Sequence, residues 1–150
     1  MDFIVMVPEH SADYRQAQTY PPGRSSMDII HVALWSSDID RTRAFYIDGL
    51  GLTEQWSFTG DDGVENVYIG GEHGEIQFKY DPDKEVSIKH GSLDHVAISV
   101  DGVDAVVAHL TEQTDTIIET PPTTMTSIGV RVAFVTDPDS YVIELVEQLE

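Results

Sequence analysis

Residues 29–52 read IIHVALWSSDIDRTRAFYIDGLGL, an apolar run that leads into a helical pattern. The first seven residues hold few polar side chains and are typical of a strand. Ser37 with Asp40 three positions later resembles a capping box, with Asp in place of Glu or Gln. From residue 39 onward, apolar side chains recur at helical spacing until Gly49 ends the helix. The stretch therefore predicts one strand followed by one amphipathic helix.

The same order of elements occurs twice along the chain. Three strand-like runs follow the first helix, at residues 53–59, 64–69 and 75–80. The second round has a strand at 93–100, a helix capped by Asp101 and Asp104, and strands near 116–119, 130–135 and 141–146. The pattern predicts an α+β fold of two βαβββ modules, at about residues 28–80 and 93–147.

Short motifs repeat together with the pattern. Residues 30–33 read IHVA and residues 94–97 read DHVA, whereas residues 76–78 read IQF and residues 143–145 read IEL. The first pair of motifs is 64 positions apart and the second pair is 67 positions apart. One small loop insertion accounts for the difference of three residues. An internal duplication explains both spacings.

Four polar residues lie at matching points of this repeat: His31, Gln77, His95 and Glu144. Strand side chains alternate between faces, so each of the four lies opposite its apolar neighbours. Two imidazoles, an amide oxygen and a carboxylate suit a borderline divalent ion. On an octahedral ion they leave two adjacent positions for a bidentate substrate, whose oxygens the metal would stabilise as negative charge develops. We therefore predict one metal site made of these four residues.

The composition restricts the remaining possibilities. Asp and Glu number 27 against 8 Lys and Arg, giving a net charge of −19. Such a surface disfavours nucleic acid and anionic membranes as partners, and we interpret it as halophilic, adapted to salt that screens charges to within about 3 Å at 1 M. No cysteine is present, which excludes disulfides and thiolate ligands. With no apolar run of membrane length and no secretory signal pattern, we expect a cytoplasmic protein.

Residues 1–26 differ in composition from the rest. They are rich in Pro, Ser and Gln, which favours an N-terminal arm. The second unit, residues 27–150, holds both modules, and Met27 stands directly before the first strand pattern.

Four segments resemble the vicinal oxygen chelate superfamily and, within it, bacterial-type glyoxalase I (lactoylglutathione lyase). They are residues 29–52 quoted above, GEIQFKYD at 74–81, LDHVAISVDGVD at 93–104, and AFVTDPDSYVIELVE at 133–147. The family has glycine where Ser140 stands. The resemblance implies paired βαβββ modules, a metal held by His31, Gln77, His95 and Glu144, and Glu144 as general base. It also implies a homodimer with each site shared between subunits.

Three positions depart from the bacterial glyoxalase pattern. Gln77 stands where those enzymes have Glu and looks more like the methylmalonyl-CoA epimerases. Trp35 and Asp81 replace the Arg and Asn that read glutathione. We therefore expect a substrate pocket bounded by Trp35, Asp81 and Glu75, apolar on one side and anionic on the other, that disfavours a carboxylate. Glu75 is either a second acid or base or, more simply, a solvated charge.

The resemblance implies a metal-dependent lyase or isomerase that acts on a 2-oxoaldehyde–thiol hemithioacetal through a metal-bound enediolate, with Ni, Co, Zn or Mn. An epimerase is the alternative closest in chemistry. An extradiol-type dioxygenase would need only His31, His95 and Glu144 around Fe(II). A protein that binds or sequesters a small molecule without metal is the alternative from another class.

Overall fold

The computed structural model of the protein describes residues 30–87 and 93–150. The first module consists of β1 (His31–Ser36), α1 (Ile39–Arg43) continued by a π-helical segment (Ala44–Gly49), β2 (Thr53–Thr59), β3 (Glu65–Gly70) and β4 (Glu75–Tyr80). The second consists of β5 (Val96–Ser99), α2 (Val103–Gln113), β6 (Ile118–Met125), β7 (Val130–Thr136) and β8 (Val142–Gln148). The two predicted βαβββ modules are confirmed. The predicted arm at 1–26 and the start of the first strand at residue 29 lie outside the described residues.

Each module forms one four-stranded sheet with the same topology. The strand orders are β1-β4-β3-β2 and β5-β8-β7-β6, with the first and last strand of each module parallel. Ala33 lies opposite Gln77 in one sheet, and Ala97 lies opposite Glu144 in the other. Each histidine precedes its alanine by two residues, so the duplication has kept the same register in both modules.

A single apolar core joins the two modules. It takes in buried side chains from the first helix, from α2 and from the inner faces of both sheets, among them Phe45, Tyr46, Val103, Leu110, Phe78 and Leu145. Gly49 permits a close approach of the first helix to α2, because a Cβ there would lie 2.6 Å from Leu110 Cδ2. The faces that carry the histidines are turned away from this core. In the described part of the chain, neither helix has the length and apolarity that a membrane crossing needs.

The first helix begins differently from the prediction. Its N-cap is Asp38, whose Oδ1 accepts hydrogen bonds from the backbone N–H groups of Asp40 and Arg41, both at 3.1 Å. The hydroxyl of Ser37 instead donates to Asp139 in the second module. The capping box at Ser37 is therefore wrong, because a residue 102 positions away takes its hydroxyl.

The second helix is not capped by its neighbouring aspartates either. Its N-cap is Gly102, which has no side chain to offer. Glu147 on β8 accepts a 2.9 Å hydrogen bond from the backbone N–H of Val103 and so satisfies one free donor of the first turn. Asp104 is engaged by Arg131 on β7. The predicted caps at Asp101 and Asp104 are wrong because these tertiary partners replace them.

The turn between β7 and β8 ties the second module to the first helix. Asp137 accepts a 2.8 Å hydrogen bond from the hydroxyl of Tyr46 and 2.9 Å bonds from the backbone N–H groups of Asp139 and Tyr141. Burial raises the pKa of Asp137 to about 6, although these hydrogen bonds favour the ionised carboxylate. Tyr141 also donates its hydroxyl to the carbonyl oxygen of Trp35 on β1, at 3.2 Å.

Ser140 in this turn has a φ of 70°, a left-handed conformation that a side chain makes costly. We therefore expect Ser140→Gly to stabilise the fold by about 1 kcal/mol, since glycine adopts this φ without a Cβ clash. Urea denaturation of the two proteins measures the difference, with Ser140→Ala as the control that keeps the strain. A glycine variant no more stable than the alanine variant would contradict this account of the turn.

Candidate metal centre

The first half of the predicted site lies on β1 and β4. Gln77 Nε2 donates a 2.9 Å hydrogen bond to Asn66 Oδ1, and Asn66 Nδ2 in turn donates a 3.0 Å bond to the carbonyl oxygen of Val64. Asn66 is buried and belongs to β3, which pairs with β4. This chain fixes the rotation of the Gln77 amide, so its carbonyl oxygen is the atom left to bind a ligand beside His31.

The second half of the predicted site lies at β5 and β8: His95 directly precedes β5, and Glu144 is on β8. His95 Nε2 is 3.2 Å from Glu144 Oε2, and His95 Nδ1 is 2.7 Å from Asp94 Oδ2. The contact to Asp94 favours the tautomer with the proton on Nδ1 and leaves the Nε2 lone pair for a metal, an arrangement typical of metal-ligating histidines. Two donors about 2.1 Å from one ion and at right angles are separated by about 3 Å, close to what His95 and Glu144 show. These two residues fit a divalent ion.

Both histidines are held by aromatic neighbours in the same way. The His31 ring meets Tyr68 edge to face with centroids 5.5 Å apart, and the His95 ring meets Phe134 at 5.6 Å. Tyr68 lies opposite Gln77, and Phe134 lies opposite Glu144. The duplication has therefore preserved an aromatic neighbour of each imidazole as well as the predicted ligands.

One chain does not bring the four predicted ligands together. Among residues 30–87 and 93–150, no three His, Asp or Glu side chains come close enough to hold one ion. His31 is therefore apart from the His95–Glu144 pair, and each chain offers two half-sites on two separate sheets.

Glu75 lies beside the first half-site. It is paired in register with His31 and is partly buried, which raises the pKa of its carboxyl, while a hydrogen bond with Trp56 and the charge of His31 oppose the rise. Trp56 stacks on Tyr68 with centroids 3.8 Å apart and on Phe58 at 5.5 Å. Glu75 is therefore a partly dehydrated carboxyl against an aromatic surface and not the freely solvated charge of the simpler interpretation.

Two lysines lie over the ring of Trp35, in the pocket region that the sequence predicted as apolar and anionic. Lys84 Nζ lies 3.3 Å from the centroid of the Trp35 ring, and Lys79 Nζ lies 5.0 Å from it. Asp81 uses its Oδ1 to accept a 3.0 Å hydrogen bond from the backbone N–H of Asp83, and its carbonyl oxygen accepts from the N–H of Lys84 at 3.1 Å. Asp81 therefore shapes the turn that carries Lys84 over Trp35, so that cations join the predicted anionic residue in this region.

The sequence analysis missed five residues around the predicted site: Asn66, Asp94, Tyr68, Phe134 and Lys84. Asp94 is adjacent to His95 in the chain, so its role had a visible signal. The other four act across strands or turns, and their partners follow only from the register of the folded sheets.

The sequence model of the Glyoxalase/Bleomycin resistance protein/Dioxygenase superfamily matches residues 28–145. The chain belongs to this superfamily. The uncharacterized protein YaeR of Escherichia coli (strain K12) is 33% identical over 129 residues, which cover 79% of this chain and 94% of that protein.

Solved structures with the same fold include enzymes and a binding protein. A glyoxalase I mutant from Zea mays superimposes with a TM-score of 0.73 at 20% identity over 81% of this chain, which spans only 46% of the maize protein's length. The trypanothione-dependent glyoxalase I of Leishmania major gives 0.70 at 25% identity, covering 82% of this chain and 88% of that one. TnmS3, an antibiotic binding protein from Streptomyces sp. CB03234, gives 0.63 at 22% identity, covering 85% and 100%.

The ligand assignment predicts how variants bind metal. We expect His31→Ala and His95→Ala to lose most of the bound Ni²⁺ or Zn²⁺, because the remaining donors hold an ion weakly. Gln77→Glu should retain the metal, since it keeps an oxygen donor. Asn66→Ala should weaken binding by about tenfold, the effect typical of a residue that orients a ligand.

Elemental analysis and isothermal titration with each metal measure these effects. The matched control is His73→Ala, which removes an exposed histidine from the turn between β3 and β4. Full metal occupancy in His95→Ala would refute the assignment.

Proposed function

We propose that this protein is a metal-dependent, glyoxalase I-like lyase or isomerase acting on the hemithioacetal of a 2-oxoaldehyde and a thiol. The observation that carries the proposal is the pair of matched half-sites, each with one histidine and one oxygen donor in the same register. Because one chain keeps them apart, the complete site would join His31 and Gln77 of one copy to His95 and Glu144 of a second. The active form would thus be a cytoplasmic homodimer.

A divalent ion bound there would act as a Lewis acid on two adjacent substrate oxygens. The chain itself would move the proton. Glu144 would take the proton from the hydroxyl-bearing carbon of the hemithioacetal and return it to the neighbouring carbon, while the hydroxyl proton passes to the oxygen on that neighbouring carbon. The product is a 2-hydroxyacyl thioester with no net change in atoms or electrons. Glu75 lies opposite His31 in the β1–β4 register, and burial raises its pKa, so it would carry the hydroxyl proton between the two substrate oxygens.

The fixed amide of Gln77 favours this chemistry over an extradiol-type dioxygenase. A facial triad would use only two histidines and Glu144 and would leave Gln77 without a ligand role. The hydrogen bond from Gln77 Nε2 to Asn66 instead presents its carbonyl oxygen beside His31. An Fe(II) centre with ring-cleaving activity would be the result that reverses this ranking.

A small-molecule binding protein is the second candidate, and one observation favours it. Trp56, Phe58 and Tyr68 stack in a layer on the face that carries His31, which offers a flat aromatic ligand a surface to stack on. The structural likeness to an antibiotic binding protein is compatible with that use. The two candidates differ in turnover: a binding protein retains its ligand unchanged.

The proposal predicts that the protein loaded with Ni²⁺, Co²⁺, Zn²⁺ or Mn²⁺ converts methylglyoxal–thiol hemithioacetals to 2-hydroxyacyl thioesters. We expect Glu144→Gln to lower kcat by about 10²-fold or more, the usual contribution of a general base. An amide oxygen at position 144 can still bind metal as Gln77 does, so this variant separates proton transfer from metal binding.

Thioester formation measured by absorbance, together with the metal content of each preparation, tests this. His73→Ala serves again as the control and should keep full activity. Either full activity in metal-loaded Glu144→Gln, or no turnover with any of the four metals across several thiols, would contradict the proposed reaction.

A further inference from the structure

The cations of the described chain are used in two different ways. Each arginine there is met by carboxylates: Arg43 by Glu54 and Glu65 at 2.9 Å, Arg131 by Asp104, and Arg41 by Asp115 at 3.9 Å. Lys79 and Lys84 have no carboxylate oxygen within 4.0 Å in residues 30–87 and 93–150. Both lie over the ring of Trp35 instead.

This grouping runs against the overall charge of the protein. The chain carries 27 acidic residues and only three lysines, and two of the three share one indole ring. The ring attracts each ammonium group, but the two ammonium groups repel one another and attract anions. An anionic ligand between them would remove the repulsion and would find here an attractive position on a surface that otherwise repels it.

The position of the group links it to the first half-site. Trp35 lies opposite Lys79 in the β1–β4 register, and Lys79 is two residues beyond Gln77 on the same face of β4. Two residues along a strand span about 7 Å. A molecule whose reacting oxygens lie near the Gln77 amide would therefore extend toward Trp35. A group a few bonds from those oxygens would reach both lysines.

We propose that Trp35, Lys79 and Lys84 form a subsite for an anionic group, a carboxylate or a phosphate, on the thiol portion of the substrate. The indole ring holds the two ammonium groups in place, and these bind the anion. The assignment of the anion to a substrate thiol rests on the proposed function. A subsite that prefers an anion is the opposite of the pocket expected from Trp35 and Asp81 alone, which disfavours a carboxylate. The difference arises because the turn that Asp81 stabilises places Lys84 at the subsite.

A binding measurement tests the subsite without any catalysis. The chain has two tryptophans, so the indole N–H signals in a ¹⁵N spectrum belong to Trp35 and Trp56, and Trp56→Phe assigns them. We expect 3-mercaptopropionate or inorganic phosphate, added at constant ionic strength, to shift the Trp35 signal saturably. The neutral 3-mercaptopropionamide should leave it in place. The anion that binds more tightly shows whether the subsite prefers a carboxylate or a phosphate.

The double variant Lys79→Gln/Lys84→Gln should weaken this binding at least tenfold, and Lys79→Arg/Lys84→Arg should retain it. Arg41→Gln, which removes an exposed cation in the first helix, is the control for net charge and should bind as the unmodified protein does. An unmoved Trp35 signal, an equal shift with the amide, or unchanged binding in the double glutamine variant would each overturn the subsite.

Turnover then separates this inference from the proposed function. With metal-loaded protein, kcat/KM for the methylglyoxal adduct of 3-mercaptopropionate should exceed that for its amide by about tenfold, and the double glutamine variant should abolish the difference. Equal use of both adducts would reject the subsite while the reaction stands. Selective anion binding without turnover of either adduct would reject the reaction while the subsite stands.

Discussion

The parallel pairing of the first and last strand of each module is the constraint on which the rest of the structure depends. It places each histidine two residues before the alanine that lies opposite the oxygen donor, in both sheets. A shift of one residue in the register of any of these strands would turn its predicted donor to the core face. The two strands that connect the paired strands complete the same sheet, and the connecting helix packs on one face of it, so that the other face carries the predicted ligands.

Much of this arrangement could be predicted from the sequence, because it depends on local alternation and on a repeat. The motifs around His31 and His95 fix two equivalent strands, and the motifs around Gln77 and Glu144 fix their partners. Superfamily membership agrees with that reading. The proposed meeting of half-sites from two copies does not follow from periodicity, since alternation gives the face of a sheet but not the placement of one sheet against another.

The misjudged features share a physical cause. The sequence predicts that both helix N-termini are capped by nearby residues. Instead, the hydroxyl of Ser37 and the backbone N–H of Val103 donate to Asp139 and Glu147, both more than forty positions away. In the sequence, Trp35 and Asp81 predict an apolar and an anionic side of the pocket. In the structure, the turn after β4 also places Lys84 over the indole ring. In each case a tertiary contact outweighs the local preference.

The central claim is that two copies of the chain complete each metal site, and a mixed dimer tests it most directly. A dimer of one His31→Ala chain and one His95→Ala chain, purified through two different tags, would have both defects in one site and none in the other. The account predicts about one bound metal ion per mixed dimer, and almost none in either parent dimer. A mixed dimer that binds no more metal than its parents would contradict it and would place each site within a single chain.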